Sequence, residues 1–339
     1  MGPYIARRLL IAIPILFGIT VIAFLMLASV PGDPVRALIE PQQLAHMTLE
    51  QIEQRRHELG LDGGPVIRYV RWLGLDPLIA AVTGASTSVP GILEGQFGYS
   101  IRSSQPVLDM VGPRIGPTLL LMGCALLIAI AVGVPFGVIS AVRPYGRLDY
   151  FLTSFSMLMI STPAFLLGLI FIYTFAVALR WFPTGGLFSL GNEFDLRDRV
   201  AHVIMPALIL GLANAAQLMR YTRAGMLDVL SSEYMVTATA KGLSGRTVLV
   251  RHGLRNALIP VITLVGILLP ELVAGAIVLE QVFAWPGMGL LAVQAAADRD
   301  PPLMMAVVLL IAVAVLISNI VADIAYSVVD PRVRFDSAT

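Results

Sequence analysis

A single cysteine, a single lysine and four histidines in 339 residues close off several kinds of chemistry at once. Cys124 lies inside an apolar run, so no internal disulfide can form and no redox pair is present. His202 stands near the outer end of another apolar run, with no second histidine, cysteine or paired carboxylate at ligand spacing. A hydrogen-bonded helix-end residue is its simpler reading, and no metal site is indicated. Charge is scarce: 13% of residues are Asp, Glu, Lys or Arg, against roughly 25% in a soluble domain. Hydrophobic residues reach 57% and mean hydropathy is +0.83, so much of the surface must face lipid. The formal net charge of +1 gives no reason to expect an acidic partner. There is no Gly-x-x-x-x-Gly-Lys-Ser/Thr loop, so the chain does not bind ATP through that device. The absence of His-Glu-x-x-His and Gly-x-Ser-x-Gly removes the usual signs of an intramembrane protease or a serine hydrolase. No basic patch with interleaved aromatics points to nucleic acid.

What the chain does have is long apolar runs. Residues 9–30 follow Arg7-Arg8 and are nearly uninterrupted. About 20 apolar residues cross a bilayer core, whereas the apolar part of a cleaved signal peptide is about 7–15 residues, so this run reads as a spanning helix. Five more runs follow, at about 118–142, 151–179, 200–219, 258–283 and 303–322. Six spans place both ends on one side. Twelve basic residues collect on that side: Arg7, Arg8, Arg143, Arg147, Arg220, Arg223, Lys241, Arg246, Arg251, Arg255, Arg332 and Arg334. The short loops of the other side hold four: Arg180, Arg197, Arg199 and Arg299. Short-loop arginines mark the cytoplasmic face, so both termini and the 220–257 loop are expected inside. The expected fold is an all-α polytopic membrane protein. It divides into residues 1–30, an extracytoplasmic segment 31–116, a five-helix core 117–325 carrying the 220–257 loop, and a cytoplasmic tail 326–339.

The extracytoplasmic segment opens with Pro31-Gly32-Asp33-Pro34, a sharp turn. A polar helix is expected from Thr48 to Leu59, stopping at Gly60, and a small polar loop over 84–91. In the fifth run, Glu271 follows Pro270 at about mid-depth. An ionisable group there costs several kcal/mol unless it is neutral, paired or facing a cavity. Pro270 frees a carbonyl one turn earlier and can kink the helix. The pair is a candidate pathway or gate element, or else a structural glutamate bonded between helices. Glu280 lies nearer the outer end, where water is within reach. Trp181, at the end of the third run, reads as an interface anchor.

The longest polar interruption of the second half is residues 231–260, SSEYMVTATAKGLSGRTVLVRHGLRNALIP. Ser231-Ser232 offer an N-cap, with Glu233 in the first turn, where the helix dipole favours an anion. Tyr234, Ala238 and Lys241 recur at i, i+4, i+7 and so share one stripe. Gly242 stands where a helix would stop, because glycine takes the left-handed C-cap conformation without a Cβ clash. Ser244 can cap a second helix that carries Arg251 and Arg255 four apart, and Pro260 opens the next apolar run. A basic helix–glycine–helix unit between two spans suits the docking of a soluble protein. Simple topology, arginines that hold a loop inside the cell, accounts for the charge but not for that pattern.

This loop resembles the cytoplasmic loop of ABC-transporter inner-membrane permease subunits of the dipeptide/oligopeptide importer family. Ala238 and Gly242 fall on the alanine and glycine of the family's motif. Where the broader motif continues Ile-x-Leu-Pro, this chain has His252, Leu254 and Arg255, a variant that resembles the peptide-importer branch. The resemblance runs along nearly the whole chain. It includes PGDP, HELGLD, FGYS and PVLDMV before residue 116, and Ser161-Thr162-Pro163-Ala164-Phe165 in the third span. It continues with Trp181-Phe182-Pro183 and Gly185-Gly186, VFAWPGMG at 282–289, Arg299-Asp300-Pro301 and Asp330-Pro331-Arg332-Val333-Arg334. Two departures stand out: Gly95-Gln96-Phe97-Gly98 where the family tends to have Gly-Asp-Leu-Gly, and extra residues between Trp72 and Leu93.

The resemblance implies a non-enzymatic subunit of a bacterial inner (plasma) membrane importer for dipeptides or oligopeptides, working by alternating access. It implies a heterodimer with a second homologous permease subunit and two ABC ATPase subunits that bind the ATP and Mg. An extracytoplasmic substrate-binding protein would deliver the peptide, in a lipid setting and with no cofactor in this chain. The loop, with Glu233, Tyr234, Ala238, Lys241, Gly242, Arg251 and Arg255, is expected to seat in a groove of the ATPase. Ala238 would permit close approach, Gly242 would set the bend, and Arg251 and Arg255 would pair with acids. Pro163, Pro270 and Glu271 are the pathway candidates. Relatives carry nickel or glutathione, so those cargoes stay open. A proton-coupled secondary transporter using Glu271 is a rival that inverted repeats would support, and none is visible. A non-transporting scaffold for a signalling ATPase is another.

Overall fold

The computed structural model describes residues 2–29, 46–58, 63–75 and 91–329. The turn expected at 31–34, the loop at 84–90, most of the extra residues before Leu93, and the motif at 330–334 lie outside the described residues. Among the described residues the regular structure is helical, apart from one isolated antiparallel bridge between Tyr99 and Pro106. Five helices among the described residues are long and apolar enough to cross a membrane, and a sixth crossing is available if one bent pair counts as a single span. The contacts divide the chain into two units, 1–115 with 291–314, and 116–290 with 315–339.

The first unit is built on α1 (Gly2–Ala28), a mostly apolar helix few of whose residues are fully buried. Its partner is α3 (Pro65–Leu73), where Tyr69 hydrogen-bonds Thr20 at 2.8 Å and meets the Phe17 and Phe24 rings edge-on. The α3 helix begins at Pro65 and ends against Gly74 at φ +86°, the usual proline-first, glycine-after asymmetry. The polar helix expected at 48–59 is α2 (Leu49–Glu58). Thr48 and Gln51 cap each other there, Gln51 N–H to Thr48 Oγ1 at 3.3 Å and Thr48 N–H to Gln51 Oε1 at 2.9 Å. Asp300 is buried at the start of α10 (Pro301–Val329). Its carboxylate accepts from Ser100 Oγ at 2.5 Å and from the Leu303 N–H at 3.3 Å.

The second unit is organised around α7 (Leu196–Leu230), more than half of whose most apolar stretch is buried. It runs well past the expected 200–219, to about 52 Å at 1.5 Å per residue. A bilayer core is about 30 Å thick, so α7 projects beyond it. Packed on α7 are α5 (Arg147–Ser161), α6 (Ala164–Phe171) and α9 (Arg255–Val282). Their core joins Leu167, Met205, Ile209, Leu210, Leu272, Leu279, Phe283 and Trp285. The helix α4 (Val107–Val142) reaches α7 at a glycine crossing. A Cβ on Gly137 would stand 2.6 Å from Thr222 Cβ and 2.7 Å from the Met219 carbonyl, and one on Gly133 would stand 2.8 Å from the Ala215 carbonyl. Glycines four apart let two helix backbones approach, the usual small-residue device of membrane helices. We expect Gly137→Leu to cost the about 1–3 kcal/mol of stability typical of overpacking, read as a lower thermal midpoint in detergent. Gly123→Leu on the same helix, where a Cβ would meet nothing within 4 Å, should be near neutral.

The expected third span, 151–179, is not one straight helix. It is α5 followed by α6, bent by 103°. Thr162 is extended, at φ −96° and ψ 124°, because the ring of Pro163 disfavours helical geometry in the residue before it. Pro163 then starts α6, which loosens into a π-helical stretch at Ile172–Ala178.

Candidate coupling surface and pathway residues

Two residues, Ser231 and Ser232, separate α7 from α8 (Glu233–Ala240). Ser232 occupies the N-cap position, but its hydroxyl donates to the Val229 carbonyl at 2.5 Å rather than accepting from α8. Gly242 lies just past the end of α8 at φ +77°, the conformation expected of it. Ser244 caps the next turn through its Oγ and the Thr247 N–H at 3.4 Å. The second helix is not separate. A single turn at Gly245–Thr247 runs through a π-helical stretch, Val248–Leu254, straight into α9. Arg251 lies in that stretch, so it and Arg255 do not stand at ordinary α-helical spacing.

Glu233, Tyr234, Lys241 and Arg251 are exposed. The side chain of Arg255 lies outside the described residues. Ala238 parts from Tyr234 and Lys241, whose stripe it was expected to share: it is 8% exposed and packs with Met235 and Val248, against Val229 and Leu230. Its small size lets α8 lie close to its own chain. The outer face is formed instead by Tyr234, Val236, Lys241 and Leu243, and Val236 is 66% exposed. Tyr234 Oη also accepts from Asn256 Nδ2 at 3.1 Å, which ties α8 to the first turn of α9.

Seven residues before the end of α7 lies an ion pair, its acid buried and its base half-buried, that the charge pattern alone did not reveal. Arg223 of α7 donates Nε to Asp149 Oδ1 and Nη2 to Asp149 Oδ2, each at 2.8 Å. Asp149, in the first turn of α5, is 3% exposed and also accepts from Ser140 Oγ of α4 and from the Tyr145 N–H at 2.8 Å. Arg223 Nε reaches Ser140 Oγ at 3.1 Å as well. Counted only as a charge, Arg223 marks a membrane side; the sequence signal available was Asp149, an acid in the otherwise basic turn after Arg143.

At the other end of α9, Glu280 is not within reach of water: it is 0% exposed. Its oxygens accept from Thr118 Oγ1 at 2.7 Å and from the Gly289 and Leu290 N–H groups at 2.6 and 3.1 Å. Trp285, also fully buried, donates Nε1–H to the Pro117 carbonyl at 3.0 Å. A Cβ on Gly287 would stand 2.1 Å from Glu280 Oε1, so the Pro-Gly-x-Gly turn is shaped to this carboxylate. The Gly186 N–H donates to the Phe283 carbonyl at 2.8 Å. The Gly185-Gly186 and VFAWPGMG motifs, far apart in sequence, thus close one knot.

Of the pathway candidates, Pro163 is exposed at the elbow and Pro270 is half-buried within α9. Glu271 is exposed, while its neighbours Leu272 and Val273 face the core. It has no hydrogen-bond or ion-pair partner among the described residues. His202 is buried, with Nδ1 2.8 Å from the Asp198 carbonyl. Among the described residues no three His, Cys, Asp or Glu side chains gather as a metal site.

Comparison with known proteins matches residues 133–335 to the family described as binding-protein-dependent transport system inner membrane component, and residues 1–122 to its N-terminal counterpart. The chain is similar to the oligopeptide transport system permease protein AppB of Bacillus subtilis (strain 168), 42% identical over 99% of this chain and 100% of that one. It is also similar to the glutathione transport system permease protein GsiC of Escherichia coli (strain K12), 37% identical over 98% and 99%. Among solved structures, a chain of the MetNI methionine ABC transporter in an inward-facing conformation matches with a TM-score of 0.55 at 19% identity. That match covers 67% of this chain and 99% of the other, and shows the fold.

Proposed function

From the chain's membership of the binding-protein-dependent transport system inner membrane component family, which its match over residues 133–335 establishes, we propose how it works. It is a multi-pass inner-membrane permease, a transport component and not an enzyme. Its cargo is a dipeptide or oligopeptide, in line with its similarity to an oligopeptide permease. Glutathione, itself a small peptide, stays within the same reading through the similarity to GsiC. The α5–α6 pair crosses as one broken span, which gives six crossings with both ends cytoplasmic. The chain pairs with a second homologous permease. Two ATPase subunits bind ATP and Mg on the cytoplasmic side, and a binding protein delivers cargo from outside.

The observation that carries this reading is α8 with its glycine stop. Its inner face is filled by the chain's own Ala238, Met235 and Val248, while Tyr234, Val236, Lys241 and Leu243 are exposed on the other side, Tyr234 held there by its bond from Asn256. A short helix with an exposed apolar and basic face is suited to a groove. Seated in the ATPase, it passes on the free-energy difference between nucleotide states, and ATP can shift the inward–outward equilibrium only by that difference. Glu271 supports the pairing. A carboxylate at that depth, turned away from its own core, is tolerated against a partner or an aqueous path but not against lipid. We infer that Pro163, Pro270 and Glu271 line the pathway between the two permeases.

The test is cross-linking. With Cys124→Ser as background, Lys241→Cys in the assembled complex should join an ATPase subunit, with a yield that changes between ATP-bound and nucleotide-free states. A complex that co-purifies yet never cross-links at this position, under any nucleotide condition, would remove α8 from the role. Mass spectrometry of the ligand retained by the binding protein identifies the cargo.

A further inference from the structure

We propose that the Asp149–Arg223 pair is the positioning contact that carries motion of α8 into the bent arm formed by α5 and α6. This rests on α8 being the helix that the ATPase moves. Displacing α8 moves the end of α7 directly, because only Ser231 and Ser232 intervene, and it moves α9 through the continuous Val248–Leu254 stretch. The α5 helix has no such covalent route, since the chain reaches α8 from α5 only through α6 and the whole of α7. Its polar tie is Asp149, which Arg223 grips with two parallel bonds of 2.8 Å seven residues before α7 ends.

The form of the tie matters. Apolar side chains would hold two helices together equally well, and burying an ion pair is often no more stabilising than that. What a planar, two-pronged pair adds is a single permitted geometry. Here the geometry is fixed from four sides: by Arg223, by Ser140 of α4, by the Tyr145 N–H in the preceding turn, and by Thr153 Oγ1 one turn on at 3.3 Å. Tyr145 itself sits at φ +63°, so the turn into α5 is also held in one conformation. Motion of α7 at Arg223 must then carry the start of α5 with it. The 103° elbow at Thr162 and Pro163 turns rotation of α5 into sideways displacement of α6.

The experiment uses the complete complex in proteoliposomes: both permeases, the ATPases and the binding protein. With Asp149→Asn or Arg223→Lys, the complex is expected to stay assembled and hydrolyse ATP while uptake per ATP hydrolysed falls by about tenfold or more, since the two-pronged geometry is lost. Spin labels at Tyr150 and Tyr221, both exposed, supply a second reading. Their distance should stay single through the nucleotide cycle in the native chain and split or broaden in Asp149→Asn. Unchanged uptake per ATP in both variants overturns the proposal, as does an unchanged distance distribution. Loss of the ATPase from both variants also overturns it, because the pair is then only a brace. The Lys241→Cys cross-link separates the two readings: if it forms in the native chain and in Asp149→Asn while uptake per ATP is normal, only the role of the pair fails.

Discussion

Gly242→Pro should abolish uptake while the protein remains in the membrane at normal abundance. Gly242 stands at φ +77°, and a proline ring holds φ near −65°, so the turn after α8 cannot form. The space around it is open, since a Cβ there would meet nothing within 4 Å. The defect therefore lies in the backbone, in its φ and, for proline, also in the lost N–H bond to the Thr239 carbonyl at 3.0 Å, and a graded series follows. Gly242→Ala carries the left-handed penalty of about 1–2 kcal/mol and should lose part of the uptake. Gly242→Asn, whose side chain tolerates that region, should keep more than alanine does. Transport assays with the reconstituted complex, alongside membrane quantification, read this order. If asparagine proves as damaging as proline, the residue matters for close approach of a partner and not for the turn.

Glu280→Ala should have the opposite signature, with little protein recovered folded from the membrane. It orphans the Gly289 and Leu290 N–H groups and the Thr118 hydroxyl in a fully buried site. An unsatisfied buried group costs roughly 1–3 kcal/mol, and a domain as a whole is stable by about 5–15 kcal/mol. The void left against Gly287 adds to the loss. Glu280→Gln keeps one oxygen for the two N–H groups and can turn its amide to Thr118, so it should be far milder. Size-exclusion profiles and thermal midpoints in detergent distinguish the two. Equal stability of Glu280→Ala and the native chain would mean that the knot does not hold the outer end of α9.

Both outcomes depend on features that were unequally legible. The glycine stop at 242 and the Ser244 cap could be read directly, because φ preference and capping are local properties of a few residues. The apolar runs announced a membrane protein for a similar reason: their length is set by the bilayer and not by neighbours. The break in the third span was written in Thr162-Pro163, yet an apolar run of 29 residues conceals a bend, since hydropathy carries no direction. Ala238 shared a helical stripe with Tyr234 and Lys241, but spacing says nothing of which side of a stripe is covered. Glu280 looked accessible because it was near a span's end, and only the return of the 286–290 turn over it decided otherwise.

The order of residues by itself determined the class of protein, its family and the local stops, caps and turns, because each depends on composition, on a motif or on the conformational limits of individual residues. Tertiary structure alone decided that Arg223 grips Asp149 from 74 positions away, that Glu280 closes on Thr118 from 162 away, and that Glu271 is turned outward. Such pairings depend on which helices are neighbours and how they are rotated, and an apolar helix is nearly uniform around its circumference, so its sequence pattern does not say which face will be buried.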